Sequence, residues 1–435
     1  MGVNAKGVSA LNLRDYQEVA LSTLFKYWSD WESKQHKTQS SPPPCILQLA
    51  TGAGKSIVIA ELVRRVNVPV LILQPTAEIL QQNKEKLELA GVENAKVCSA
   101  SANGWKIGNI TLATIGTIAK HWQHCQRFRI VIVDEADCVK CEDYNSQYIT
   151  FFNNLAPDTK IVGLTATPYR NQTFCPMYEK PKVFCRPLTR IYCRNASGTR
   201  FGEWFWKGGI IYTCSIEDLQ KRNFLAPVTY HIAETDWSFL NDVPGRVDFD
   251  TKEMGQWVDI DANTSRFTQA IDWCMKNKLK TIVFSPDIKT NFKFVDVIRA
   301  LGGTVETMDS NNDSRKSRLK KMEDFRAGKF QFLVNVGMVG RGVDVPSVDA
   351  VVLARPTKSL GLYVQYIGRS LRPDPTKPNK MAYVMDLSGN VDRFGKVEDV
   401  KMGKIVREGR NGPFKVDCIA VKDLHGKQRV WDQVS

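Results

Sequence analysis

Short runs, most of them apolar at almost every position, alternate with longer amphipathic or mixed stretches along most of this 435-residue chain. A first series reads Ile46–Leu49, Pro69–Leu73, Ile110–Ala113, Ile130–Val133 and Ile161–Leu164. A second reads Thr281–Ser285, Thr304–Thr307, Phe330–Val334, Ala350–Leu353 and Ala382–Met385. A strand with one wet face alternates polar and apolar side chains, whereas an uninterrupted apolar run needs cover on both faces. The pattern therefore predicts α/β architecture, with parallel sheets covered by helices and built twice in tandem. The length agrees, since a chain of this size exceeds one ordinary core.

Residues 15–28 carry helical periodicity, and the polar segment 29–44, which ends in Pro42, Pro43 and Pro44, reads as a loop. Between Asn171 and Gly209 the cysteines, aromatics and glycines follow no period, and KRNFLAPV (221–228) looks like a crossing point. The expected organisation is a first domain over 1–225 with an irregular insertion at about 171–209, a second over 226–390, and a basic extension over 391–435.

Four segments of the first half point to nucleotide chemistry. In LATGAGKS (49–56), Gly52 and Gly54 permit a tight turn, with Thr51 and Ala53, whose N–H groups face inward at a helix start. Lys55 would reach the outer phosphates and the Ser56 hydroxyl would bind Mg²⁺. The strict pattern wants glycine where Leu49 stands, so the match is partial. In RIVIVDEAD (129–137) a buried strand ends in acids: Asp134 suits Mg²⁺, Glu135 suits the attacking water, and Asp137 suits coupling to a neighbouring segment. In GLTATPYR (163–170), Thr165 and Thr167 could relay hydrogen bonds from that site. In LNLRDYQ (11–17), the Gln17 amide can pair with adenine, with Arg14 beside it and Tyr16 packing nearby.

Composition narrows the partners. Hydrophobic content of 43% and charged content of 24% are those of a soluble globular protein, and no run of eighteen apolar residues occurs. The opening MGVNAKGVSALNLRDYQ lacks the apolar centre of a signal peptide, which gives a cytoplasmic expectation. A net charge of +14 favours a polyanion. Eleven cysteines without a secretory signal imply reduced thiols, and their spacing, including the lone Cys138/Cys141 pair, does not match a zinc module.

VNVGMVGRGVDVP (334–346) and YVQYIGRSLRP (363–373) complete an ordered set that runs from Leu13 to about Asn390 and resembles superfamily 2 helicases and translocases. The resemblance implies two tandem RecA-like domains with ATP and Mg²⁺ in the cleft between them. It places Gln17 in the adenine-contacting motif, Gly52, Gly54, Lys55 and Ser56 in motif I, and Asp134 and Glu135 in motif II. Thr165 and Thr167 fall in motif III, Gly342 and Asp344 in motif V, and Gln365, Arg369 and Arg372 in motif VI, with both arginines as fingers on the transferred phosphoryl group. QPTAEILQQN (74–83) and LATIGTIAK (112–120) resemble the strand-contacting motifs Ia and Ib, so Pro75, Thr76, Thr114 and Thr117 are expected at a nucleic-acid backbone, with helix capping as the plainer role for the threonines.

Within the superfamily, LRDYQ, TGAGKS, GLTATPYR, ARPTKSLGLYVQYIGRSLRP and MDLSGN look like the bacterial RadD-like group, which is implicated in DNA repair and recombination. A compact, phage-encoded relative would fit, because the cysteine-rich tail of that group is missing after Cys274 apart from Cys418. The resemblance implies an ATP-dependent DNA helicase or translocase on branched or partly single-stranded DNA, monomeric and away from membranes. The literal DEAD and RGVDVP keep a DEAD-box-like RNA helicase as an alternative, which TAT and QYIGR oppose. A clamp that binds ATP without productive unwinding is the third reading. The aromatic stretch RFGEWFWKGG (200–209) reads as a packed apolar patch ahead of a base-stacking element. The basic positions Arg393, Lys396, Lys401, Lys404, Arg407 and Arg410 read as a nucleic-acid surface.

Overall fold

The computed structural model describes residues 12–34, 41–102, 104–143, 145–174, 182–190, 192–194, 200–235, 237–240, 243, 246–337, 348–407, 414–422 and 426–430. Two compact units emerge. The first draws its described residues from Met1–Tyr169, Arg186–Ser215 and Met402–Cys418, and the second from Arg170–Cys185, Ile216–Lys401 and Ile419–Ser435.

Unit 1 begins α1 (Asp15–Lys34), β1 (Cys45–Leu49), α2 (Lys55–Arg65), β2 (Val70–Gln74), α3 (Ala77–Leu89), β3 (Lys96–Ser99) and β4 (Gly104–Trp105). It continues β5 (Ile110–Thr114), α4 (Ile115–Ile118), β6 (Ile130–Asp134), α5 (Gln147–Asn153) and β7 (Lys160–Thr165). The chain then forms two short pairs, β8 (Tyr169–Phe174) with β9 (Lys182–Pro187) and β10 (Tyr192–Arg194) with β11 (Arg200–Trp204), before β12 (Gly209–Cys214) rejoins the main sheet. The sheet order is β12-β1-β7-β6-β2-β5-β3-β4, parallel except for the β3–β4 pair. Strands β1, β2 and β6 are buried at every position, as two-sided cover requires.

Gly163 on β7 is there for close approach. A Cβ at this position would lie 2.6 Å from the Trp206 ring and 2.7 Å from Ala136. Trp206 is fully buried in the core with Phe151, Val131 and Val133, and Phe205 packs against them. Phe205 and Trp206 thus lie in an apolar patch in the core of unit 1, as read from the sequence for this stretch.

One expectation needs correction. Residues 29–34 are not loop, because α1 runs to Lys34. Trp28 is buried on the helix, the Lys160 ammonium lies 5.3 Å from its ring centroid, and Lys160 pairs with Glu32. These tertiary contacts outweigh the low helix preference of a Ser-Asp-rich stretch. Farther up, α1 is clamped to α2: Arg65 bonds both Glu18 and Glu61, and Arg64 also bonds Glu61. Burial would raise the Glu61 carboxyl, but the two guanidiniums hold it below the usual range.

Unit 2 contains α6 (Ile216–Lys221), β13 (Val228–Ile232), α7 (Thr251–Met254), α8 (Asp261–Lys276), β14 (Thr281–Phe284), α9 (Ile288–Ala300) and β15 (Val305–Met308). There follow α10 (Arg315–Arg326), β16 (Phe332–Asn335), β17 (Ala350–Leu353), α11 (Leu360–Ile367), β18 (Ala382–Asp386) and α12 (Asn390–Phe394). Its sheet, β13-β18-β17-β14-β16-β15, is parallel throughout. Strands β19 (Lys401–Arg407), β20 (Phe414–Lys422) and β21 (Gln428–Val430) make a separate small sheet. All ten of the short runs read from the sequence become strands, with ends displaced by at most two residues. The expected fold class, two tandem parallel α/β units, is the one observed.

Candidate nucleotide site

Parallel register brings the carboxyl ends of neighbouring strands together. Gln48 pairs with Thr165, Asp134 with Leu164 and Gln74 with Thr114. The segments holding Lys55, Thr76, Thr117, Glu135 and Thr167 therefore all leave one edge of one sheet, where α/β proteins bind their ligands.

The P-loop turn takes its shape from its glycines. Gly52 and Gly54 have φ of 88° and 80°, which disfavours any side chain. At Gly54 a Cβ would also sit 2.7 Å from the Gln17 amide nitrogen. Helix α2 starts at Lys55 with no side-chain cap and no acid in its first turn. Its leading N–H groups and positive dipole end thus have no local carboxylate to compete with an incoming anion. The turn is buttressed from α1: Gln17 Nε2 and Tyr16 Oη both donate to the Ala53 carbonyl, at 2.8 and 3.0 Å. The Gln17 side-chain Oε1 accepts from Arg14 N at 2.9 Å, and the Tyr16 backbone carbonyl accepts from Tyr212 Oη at 2.8 Å. The residue expected at adenine thus also holds the phosphate loop.

Lys55 Nζ donates to both carboxylate oxygens of Glu135, each at 2.8 Å. Burial alone would lower the Lys55 pKa, but Glu135, Asp134 and Asp137 outweigh it and raise it. Glu135 is held at φ 51° and ψ 60°, a left-handed conformation that costs a non-glycine residue about 1–2 kcal/mol. Asp134 is buried, and its carboxyl is pushed up to about 6 by burial first and Glu135 second, against the pull of Lys55 and Asn83. Thr165 Oγ1 donates to Asp137 Oδ1 at 2.9 Å and accepts from Thr167 N at 3.0 Å, a buried chain of bonds from the acidic strand end to the next segment. Ser56 and Asp134 offer hard oxygen donors, a set that fits Mg²⁺.

Asn83 was not singled out from the sequence. It is 1% exposed on α3, its Nδ2 donates to Asp134 Oδ2 at 2.7 Å, and its Oδ1 is buried with no hydrogen-bond partner among the described residues. Spacing carried the signal: Leu80, Asn83 and Leu87 share one buried helix face, and an amide between two leucines needs a polar partner. Outer groups that orient a metal-holding carboxylate typically change metal affinity or activity 10–100-fold. Asn83→Ala should therefore raise the Mg²⁺ concentration for half-maximal turnover about tenfold, read by Mg²⁺ titration of phosphate release. An unchanged titration removes Asn83 from the site.

In unit 2, Gln365 is buried on α11 and Arg369 is buried in the turn that follows. The helix is capped by the Ser359 hydroxyl and anchored by Tyr366, whose ring stacks on Phe284 at 3.8 Å. Arg372 is drawn down to about 10 by burial and by Arg326, and so stays cationic at neutral pH. Gly342 and Asp344 lie outside the described residues.

Of the expected nucleic-acid contacts, Pro75 is half-buried and the Thr76 hydroxyl caps α3 by accepting from Ile79 N at 3.3 Å. Thr117 Oγ1 accepts from Ala100 N at 3.0 Å and lies 3.3 Å from Thr114 Oγ1, which donates to Ser99. The basic surface read from the tail is partly committed to the protein: Arg393 donates to the Thr357 carbonyl, the Lys396 ammonium lies over Tyr230, and Lys401 pairs with Glu217. Arg410 lies outside the described residues. Among the described residues no helix is long and apolar enough to cross a membrane.

Comparison with known proteins adds independent observations. A family described as "Type III restriction enzyme, res subunit" matches residues 10–170, and "Helicase conserved C-terminal domain" matches residues 263–374. A "51.5 kDa protein" of a Lactococcus phage is 25% identical over 75% of this chain and 62% of its own length. The "Putative ATP-dependent helicase IRC3" of Saccharomyces cerevisiae is 35% identical over 88% of this chain and 52% of its own length. The "ATP-dependent RNA helicase FAL1" of Coccidioides immitis is 24% identical over 75% of this chain and 73% of its own length. The chain thus spans about half to three quarters of the length of these relatives. Among solved structures, the ATP-dependent Type ISP restriction-modification enzyme LlaBIII, bound to DNA, aligns with 87% of this chain and 28% of its own at a TM-score of 0.58 and 15% identity, a likeness of fold.

Proposed function

The chain belongs to the superfamily 2 helicases, and from that premise we propose that it is an ATP-dependent DNA helicase or translocase working on branched or partly single-stranded DNA. The observation that carries the ATPase half is the Lys55–Glu135 pair, set between the P-loop turn and the buried Asp134. One ammonium faces two clients there. A triphosphate drawn into the turn competes for Lys55, and Lys55 leaving Glu135 frees that carboxylate to orient and deprotonate water. The N–H groups of the Thr51–Gly54 turn would cradle the phosphates, with Arg14 and Gln17 at the adenine end, and Ser56 and Asp134 would hold Mg²⁺, which would supply neutralising charge on the phosphates. By the resemblance, Arg369 and Arg372 serve to neutralise charge on the transferred group, with Gln365, Gly342 and Asp344 as further members of the motif set. Thr165 and Asp137 pass the state of the acidic strand end to Thr167 and onward to the strand held near Pro75, Thr76, Thr114 and Thr117.

DNA is favoured over RNA by TAT and QYIGR, which depart from the DEAD-box pattern, and by the RadD-like motif set, which points to repair or recombination intermediates. Literal DEAD at 134–137 and the likeness to FAL1 support the RNA reading. Phosphate release measured with single-stranded, forked and four-way DNA and with matching RNA separates them. DNA should stimulate at least about tenfold and RNA less. Stimulation by RNA that equals or exceeds DNA selects the RNA helicase, and no phosphate release with any of them selects the ATP-dependent clamp.

A further inference from the structure

We propose that Trp105 is a base-stacking platform, whose indole receives the face of an unpaired nucleobase beside the hydroxyl cluster of Thr114 and Thr117. The inference rests on the nucleic-acid reading of this family member and names a contact that the sequence motifs do not include.

Trp105 sits on β4, a two-residue edge strand that pairs with β3 through Cys98. Its side chain is 54% exposed, so a large apolar ring is left half in water, at a cost that burial elsewhere would have avoided. The ring does not hang loose. His121 meets it at 4.7 Å between centroids and 77° between planes, and His124 at 6.3 Å and 90°. Two edge-on imidazoles fix its orientation, so little freedom remains to be lost when something stacks on it.

The surroundings select the occupant. The turn from β3 to β4 is tied to the candidate backbone contact, since Ala100 N donates to Thr117 and Thr114 donates to Ser99. Lys106 and Lys120 are exposed, Lys96 is half-buried, and among the described residues none of the three forms an ion pair. A protein-docking patch would be wider and aliphatic, whereas here the indole meets two imidazoles, and Lys106 and Lys120 are exposed on the same segments, next in sequence to Trp105 and His121. Exposed cations on the segments that carry one fixed aromatic ring suit a single strand: the cations take phosphate and the ring takes a base of any sequence. The aromatic stretch at 200–209 cannot offer Trp206 for this role, because that ring is sealed in the core.

The test uses the full chain and two fluorescein-labelled probes, an oligothymidylate and an abasic deoxyribose-phosphate oligomer of equal length. Trp105→Ala should weaken oligothymidylate binding about tenfold, equal to about 1.4 kcal/mol, and change abasic binding less than about twofold. Trp105→Phe should restore most of the loss, and an unshifted melting curve confirms the fold. Equal weakening on both probes, or unchanged oligothymidylate affinity, overturns the platform and assigns the patch to protein docking or to structure. If the parent protein binds neither probe, the nucleic-acid reading itself fails and the platform falls with it. Binding of both probes by the parent, without a base-dependent loss in Trp105→Ala, overturns the platform alone.

Discussion

Glu135→Gln lowers steady-state ATP hydrolysis about 10³-fold and leaves Mg-ATP bound. The substitution keeps size and one carbonyl oxygen for Lys55 and removes only the ability to take a proton. Both oxygens of Glu135 accept from Lys55 at 2.8 Å, so the carboxylate is positioned by an ammonium that a phosphate would also attract. Its left-handed backbone, φ 51°, is the kind of strain that a fold retains where a side chain must be aimed. Phosphate release and equilibrium binding of a fluorescent ATP analogue, measured on the same preparation, separate the two effects. Turnover within about tenfold of the parent would remove Glu135 from the chemistry.

Arg369→Ala lowers turnover by about 10³-fold or more through a residue in the other unit. Arg369 is 4% exposed, held in the turn after α11 by the packing of Tyr366 on Phe284. Truncation of a buried arginine also disturbs its neighbours, so Arg369→Lys is the sharper variant. It keeps the charge but loses the planar fork, and should recover only a small part of the rate while melting like the parent. Arg372 is still cationic at neutral pH because its lowered value is about 10.

The parallel sheets were legible because strands buried on both faces are apolar at nearly every position, with the polar residues at or near their carboxyl ends, as β1, β2 and β6 illustrate. Strands β3 and β13 were not, since each mixes buried or half-buried with more exposed positions and gives no clean run. The end of α1 was misread because ties from Lys160, far along the chain, hold it helical. In the candidate site, the charged groups at strand ends could be placed in order because parallel register leaves them one edge to occupy. The partners could not be read. That Gln17 would lock the Ala53 carbonyl, or that Asn83 would reach Asp134, depends on α1 and α3 docking beside strands distant in sequence. Trp105 escaped notice for the same reason, since the histidines that orient it arrive from a different segment.

The proposed function stands on motif I and motif VI residues serving the same nucleotide, as the resemblance implies. The most direct measurement is the affinity of the parent protein and Arg369→Ala for ADP and for ADP with aluminium fluoride, which carries charge where the transferred phosphoryl group would be. The account predicts that Arg369→Ala binds ADP within about twofold of the parent and loses about 100-fold on the fluoride complex. Equal affinity of the two proteins for both ligands, or an equal loss on both, would contradict it.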